Sequence, residues 1–498
     1  MLGRPLHEMP FYVFDLSVGS PLFVRPGLTD DPEVFGRILK RQMDEEKAQI
    51  GIGRYNEARL MYTSSIFSTG ESELDESRTI HLGIDVFSKA GTPVFAPLDG
   101  FVHVIADNAR PLDYGPTLIL RHETSGEGTF FFTLYGHLKR GSLENLSSGT
   151  PVKRGDKVAE IGDSLENGGW PPHLHFQVMT DMLLFTQDFP GVAPATERDI
   201  WLSFCPDPNL ILQVPADRLK PVELEREDVL ERRKSRLGPS LSLSYRSPLK
   251  IVRGFGQYLY TETGRRYLDG VNNVPHVGHS HPKVSAAVQK QQAVLNTNTR
   301  YLHDRIIEYA ERLTQMLPES LSVCFFVNSG SEANDLALRL ARSATGGTDT
   351  IVLDGAYHGN LSSLIAVSPY KFNGPGGTGK PDGTHVVPMP DPYRGIHPGY
   401  GAESGQRYAK YVRAAVEKIG TTGKKLKAFI AEPLMGCGGQ IIFPDSFLEE
   451  AYKWVRKAGG VNIADEVQIG FGRVGTRFWG FETQNVVPDI VTMGKPIG

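Results

Sequence analysis

"FFVNSGSEANDLALRLAR", residues 325–342, joins an apolar run to a helix-period stretch through four small or polar residues, Asn328, Ser329, Gly330 and Ser331. The run reads as a buried strand and the stretch after it as an amphipathic helix, capped by Asn328 or Ser331. A helix that starts at a glycine-containing turn exposes unpaired N–H groups and the positive end of its dipole. That is a seat for an anion such as a phosphate. From about residue 249 onward, "SVCFFVNSG", "TIVLDG", "KAFIAEP" and "VNIADE" alternate with further helix-period stretches. Such alternation predicts a parallel sheet covered by helices, an α/β domain.

Upstream the pattern changes. Between about 76 and 182 short β-branched and aromatic runs ("TPVFAPL", "GFVHVIA", "TLILRH", "TFFFTLYGHL", "KVAEIG", "HLHFQVM") are punctuated by Gly, Pro and Asn, which predicts an antiparallel all-β domain. Before it, residues 1–75 form a lead-in whose "DPEVFGRILKRQMDEEKAQI" reads as a charged helix capped by Asp31 or Asp30. Between the two domains, 186–247 is a charge-dense linker with a solvated helix, and the α/β domain takes 248–498. Two or three domains suit a chain of 498 residues.

Composition narrows the function classes. With 40% hydrophobic and 22% charged residues and a net charge of -4, the chain has no basic excess for nucleic acid or an anionic membrane surface. Small molecules are the expected partners. Three scattered cysteines suit reduced thiols in the cytoplasm. The first residues lack a basic region followed by a long apolar one, so neither secretion nor membrane insertion is expected.

Within the β region, "HLGID" sets His81 and Asp85 four apart, and "PHLHF" sets His173 and His175 two apart on one strand face. Two imidazoles and a carboxylate suit tetrahedral zinc with an open position for water. Neither motif alone separates a metal site from a packed core. In order, however, "HLGID", "GTPVFAPLDGFV", "LYGHL", "VKRG" and "HLHF" resemble the M23 (LytM-type) zinc metallopeptidases, from His81 to Val178. The resemblance implies Zn2+ held by His81, Asp85 and His175. It also implies His137 and His173 as acid/base groups, and hydrolysis of a peptide or peptidoglycan amide.

In the α/β region "DGAYHGN" offers Tyr357 and His358 at a strand end, "VNIADEVQIGFGR" ends a strand in Asp465 and Glu466, and "PDIVTMGKPIG" brings Lys495. A phosphate seat, an aromatic plate, a buried acid and a lysine are what pyridoxal 5'-phosphate (PLP) asks of a protein. The spaced motifs "GQYLYTETGRRYLDGVNNVPHVGHSHP", "NSGSEAND", "AYHG", "AEP", "IADEVQIGFGR" and "PDIVTMGKPIG" resemble class III aminotransferases of PLP fold type I. That resemblance implies Gly330 and Ser331 at the phosphate, Tyr357 on the ring, Asp465 at the pyridine nitrogen and Val467 on the opposite face. It also implies Gln468 at the phenolic oxygen, Lys495 as cofactor-bearing base, and Glu432 and His358 near the substrate.

The implied reaction transfers an amino group from an amine or amino acid to a 2-oxo acid, in a homodimer when the chain is full length. "NTNTRYLHD" and "NLSSLIAVSPYKF" look most like the ethanolamine-phosphate and phosphohydroxylysine phospho-lyases, which makes phosphate elimination the alternative; Arg300 and Tyr301 are candidate substrate contacts. Because the family continues beyond its lysine strand, a C-terminally truncated chain is expected. The expectation is thus a bifunctional fusion led by the PLP enzyme. Its alternatives are a metallohydrolase with a defective PLP region, or a β module that only senses a ligand.

Overall fold

The computed structural model describes residues 1–498 apart from 25–30, 73, 127, 222 and 498. The chain divides into two compact units, 1–270 with 279–281, and 271–278 with 282–498.

The first unit is built on an eight-stranded sheet. Its strands run in the order Phe11–Val13, Ile50–Gly53, Ile84–Phe87, His173–Met179, Phe130–Gly136, Gly115–Glu123, Gly100–Asn108 and Pro151–Val152. Phe11–Val13 pairs with Ile50–Gly53 in parallel, and the other neighbours are antiparallel, so the sheet is mixed. The lead-in therefore supplies two strands of the sheet, where only a helix was expected. A four-residue run such as "IGIG" is too short to mark a strand by itself; its pairing comes from the tertiary partner Ile84–Phe87. Central positions Leu118, Leu120, Leu134, Leu174 and Phe176 form the core.

The lead-in helix Pro32–Glu45 is capped by Asp31, whose carboxylate accepts from the Glu33 and Val34 N–H groups at 2.9 and 3.2 Å. Asp30, the other expected cap, lies outside the described residues. Helix Arg226–Arg236 buries no residue, as a solvated linker helix should. After it, the small sheet Ile251–Phe255, Tyr258–Thr261 and Arg266–Leu268 packs on the first unit. Tyr260 enters the core beside Phe14, Phe23 and Phe35, and Arg253 donates to the Val18, Ser20 and Phe23 carbonyls. The packing boundary thus lies downstream of the motif boundary at 248, because a motif does not say which core its strands join.

The second unit has five parallel strands in the order Thr384–Val387, Asp349–Leu353, Leu426–Ala431, Val461–Asp465 and Ile490–Thr492. Successive side chains serve opposite faces. Val352, Ala428 and Ile430 pack against Ala337, Leu338 and Ala341 of helix Gly330–Thr345. Ile351, Leu353, Phe429 and Ala431 pack against helices Ala402–Thr421 and Phe447–Lys457. Ligands of such sheets bind beyond the carboxyl ends of the strands.

One expected strand is absent. Residues 321–329 have no strand assignment, and Val323 and Phe325 are 77% and 62% exposed. An apolar run becomes a strand only where a neighbour pairs its N–H and C=O groups. Among the described residues no strand pairs with it; Ile490–Thr492, at the sheet edge, pairs with Val461–Asp465. No helix among the described residues is long and apolar enough to cross a membrane.

Candidate functional site

Strand register assembles the histidine cluster. His175 lies directly opposite Asp85 on one side and Gly136 on the other, so His137, the next residue, reaches the same place. His137 has a left-handed backbone with φ of 62°, a conformation that non-glycine residues adopt mainly where surroundings enforce it. Gly83 is required between His81 and Asp85: a Cβ there would stand 2.6 Å from His175 Cε1 and 2.8 Å from the Phe176 carbonyl.

His81 Nε2, His175 Nδ1 and Asp85 Oδ1 form a triangle with sides of 3.0, 3.1 and 3.2 Å. Tetrahedral zinc with bonds of about 2.0–2.2 Å holds its ligand atoms about 3.3–3.6 Å apart, a spacing this triangle approaches. The outer nitrogens are occupied. His81 Nδ1–H donates to the Arg54 carbonyl at 2.9 Å, and His175 Nε2–H donates to Gln177 Oε1 at 3.0 Å. Gln177 is in turn fixed by the Pro190 carbonyl and Cys205 Sγ. Each ring thus turns a lone pair toward the triangle, the arrangement that metal-binding histidines use.

His137 and His173 sit beside the triangle, their rings 4.2 Å apart. Their Nδ1–H groups donate to the Asn167 and Pro171 carbonyls at 2.8 and 2.7 Å, leaving each Nε2 as a proton acceptor. Burial, with His173 adding to it, pushes the His137 pKa well below its ordinary value, and burial lowers that of His173. Burial also pushes His81 down to about 3. Burial works the other way on Asp85, yet His81, Arg59 and His173 together hold that carboxyl well below the usual range. All five side chains are buried, none more than 5% exposed. Tyr62 stacks on His81, and Trp170 packs on His137 and His173.

In the second unit the strand ends converge on a cavity of about 970 Å³. Its walls include Ser331, Tyr357, His358, Glu432, Asp465 and Lys495. Val467 and Gln468 line it too, as does Gly330, which opens helix Gly330–Thr345. The cap of that helix is Ser329, whose Oγ accepts from the Glu332 N–H at 3.1 Å, not Asn328 or Ser331. The helix simply begins at the glycine, which moves the capping position. Ser331 Oγ instead accepts from the Asn360 N–H. A Cβ at Gly330 would lie 2.7 Å from Val467 Cγ1, so only glycine brings the helix start this close.

Asp465 is buried and tightly held. Its Oδ2 accepts from His358 Nδ1 and Asn334 Nδ2, both at 2.8 Å, and its Oδ1 from the Val467 N–H at 3.1 Å. Asn334 is itself pinned: it donates to the His358 carbonyl and accepts from the Thr492 hydroxyl. Two polar atoms here are buried without partners, Glu432 Oε1 and His358 Nε2. Burial and the nearby Asp465 push Glu432 up to about 7. Lys495 Nζ donates to Gln468 Oε1 at 3.1 Å. A buried carboxylate, a helix start, an aromatic ring and a lysine around one cavity fit the donor set of PLP.

Arg300 and Tyr301, by contrast, are exposed between helices Pro282–Gln292 and Asp304–Gln315 and do not line the cavity. Sequence reasoning missed Asn334, which sits inside the quoted "NSGSEAND" and shares a helix face with the cavity start. It also missed Gln177, two residues after His175 on the same strand face, and Arg54, Arg59 and Tyr62, which no pattern marks.

The class-III aminotransferase family model matches residues 242–498, and the peptidase family M23 model matches 79–185. An alanine-glyoxylate aminotransferase 2-like protein of Drosophila melanogaster is 54% identical over 282 residues, 55% of this chain and 57% of the relative. An ethanolamine-phosphate phospho-lyase homolog 1 of Caenorhabditis elegans is 40% identical over 285 residues, 55% of this chain and 61% of the relative. The solved structure of a phospholyase from Arthrobacter in complex with phosphoethanolamine is 40% identical, with a TM-score of 0.51, covering 54% of this chain and 63% of that one. The chain thus spans less than two thirds of the length of each relative. With the aminotransferase match extending over half of its residues and a peptidase M23 domain before it, the chain belongs to the class-III aminotransferase family.

Proposed function

We propose that the second unit is the cofactor-bearing part of a PLP-dependent enzyme that moves an amino group from an amine or amino acid to a 2-oxo acid. The observation that carries this is Asp465, buried under three donors on the same cavity as Lys495. PLP, when bound, supplies an electron sink for the bond broken at the substrate's α-carbon. In this reading Asp465 holds the pyridine nitrogen, Gly330 and Ser331 the phosphate, Tyr357 and Val467 the two ring faces, and Gln468 the phenolic oxygen. Lys495 carries the cofactor and then holds or moves the α-proton, with Gln468 orienting its Nζ at 3.1 Å. Glu432 and His358, each with a buried polar atom left unpaired, stand near the substrate in this reading.

A phospho-lyase reading is favoured by the printed functions of two relatives, which act on or hold phosphoethanolamine-type ligands. Both reactions begin with loss of the α-proton, and the leaving group decides between them. The test supplies PLP with either an amino donor plus a 2-oxo acid, or phosphoethanolamine. Transfer of the amino group supports the proposal. Release of phosphate and ammonia without transfer replaces it with the lyase.

For the first unit we infer one zinc ion on His81, Asp85 and His175, with His137 and His173 moving protons during hydrolysis of a peptide amide. Zinc, when bound, supplies a Lewis acid that activates water near neutral pH. Purified protein without stoichiometric zinc would sink this assignment.

A further inference from the structure

Arg59 lies outside the M23-matched residues, in a stretch without a motif, yet it is fully buried. Its Nη1 donates to Asp85 Oδ2 at 2.5 Å, its Nε to Glu57 Oε2 at 3.2 Å and its Nη2 to the Arg54 carbonyl at 3.1 Å. The two oxygens of Asp85 therefore have separate duties. Oδ1 belongs to the triangle with His81 and His175, while Oδ2 is tied to a guanidinium. Because the planar fork is anchored at three points, it cannot swing away from Oδ2 without breaking the other two bonds.

Stability is a weak reason for this placement, since apolar groups of similar volume often replace buried ion pairs without loss. The chain nevertheless builds a string of alternating charges inward from Asp15 through Arg54, Glu57 and Arg59 to Asp85. The same segment also supplies the Arg54 carbonyl that orients His81 and the Tyr62 ring stacked on it. Residues 54–62 thus reach two of the three groups of the triangle from outside.

We propose that Arg59 is a positioning residue of the metal centre: it occupies Oδ2, makes Asp85 a one-oxygen ligand through Oδ1, and so keeps a coordination position open. This rests on the zinc assignment above. Arg59 touches neither metal nor substrate; its effect passes through Asp85.

The test is X-ray absorption on the zinc-loaded full chain, together with the visible spectrum of the cobalt-loaded chain. One carboxylate oxygen at about 2.0–2.2 Å is expected in the wild type, with the intense cobalt bands of a tetrahedral site. Arg59→Met frees Oδ2 to chelate, adding a ligand atom and weakening the cobalt bands severalfold. Arg59→Lys keeps a donor on Oδ2 and restores them. Two carboxylate oxygens at bonding distance in the wild type overturn the proposal, and this measurement decides it even if the methionine variant does not fold. Wild-type bands in Arg59→Met, or weakened bands in Arg59→Lys, overturn it as well. A chain that takes up no zinc overturns the metal assignment itself, which is a different result from zinc bound through both oxygens.

Discussion

Around the histidine triangle the chain has bonded the outward nitrogen of all four imidazoles to a carbonyl or an amide oxygen. In the cavity wall, Glu432 Oε1 and His358 Nε2 are buried without a partner. The first arrangement is held by the protein's own groups and lies below the surface; the second surrounds a cavity of about 970 Å³ and leaves two buried polar atoms unpaired. The difference suits what we propose that each group holds. A metal ion needs a few lone pairs at fixed spacing, which one antiparallel register can set. A cofactor with a phosphate, a ring and a reactive carbon needs contacts from many strand ends, and a cavity to enter.

The sharpest way to break the comparison is His175→Ala. If the triangle is a preformed site, losing one of three ligands lowers zinc affinity by more than about 10–100-fold, the range that outer partners of a ligand command. Competition against a chromogenic chelator measures it. An unchanged affinity would move the metal elsewhere.

Glu432→Gln probes the open site next. Burial and the nearby Asp465 push Glu432 up to about 7 from an ordinary 4.5, so the folded unit binds this proton more tightly than the unfolded chain does. Its contribution to stability is full below about pH 4.5 and is lost as pH rises through about 7. Above that, the buried charge is a burden that glutamine removes. We expect the variant to gain up to about 3 kcal/mol at pH 8 and little at pH 5, read from urea unfolding at both values. An equal gain at both would show that Glu432 is not perturbed.

Much of this was legible in the amino-acid order, for identifiable reasons. His173 and His175 share a face because strand period is two, and Asp465 ends a strand whose apolar run is unmistakable. What stayed hidden depends on long-range partners. Arg59 reaches Asp85 across 26 positions, and Asn334 reaches Asp465 across 131, with no local pattern to announce either. The strand expected at 322–327 failed for the same reason: an apolar run states a preference, and its partner decides.

Gln177→Ala tests how far the proposed metal centre depends on atoms beyond the triangle. Gln177 accepts from His175 Nε2–H and is held by two further bonds, so it fixes which nitrogen faces the triangle. Outer partners of this kind change metal affinity by about 10–100-fold, and that range is expected here. The chelator competition that follows His175→Ala reads it directly. No change would mean that His175 is oriented by strand packing alone.

The smallest effect belongs to the run along the open cavity. A phenylalanine truncated in a buried strand costs about 3–5 kcal/mol. Phe325 is 62% exposed, lines the cavity and lies outside every strand. Phe325→Ser should therefore change the stability of this chain by less than about 0.5 kcal/mol, the range of surface substitutions. Urea unfolding of the variant decides the point. A loss of several kcal/mol would mean that 322–327 is packed in solution as a strand of the sheet. The contrast between an enclosed histidine triangle and an open cavity would then narrow to the unpaired atoms of Glu432 and His358.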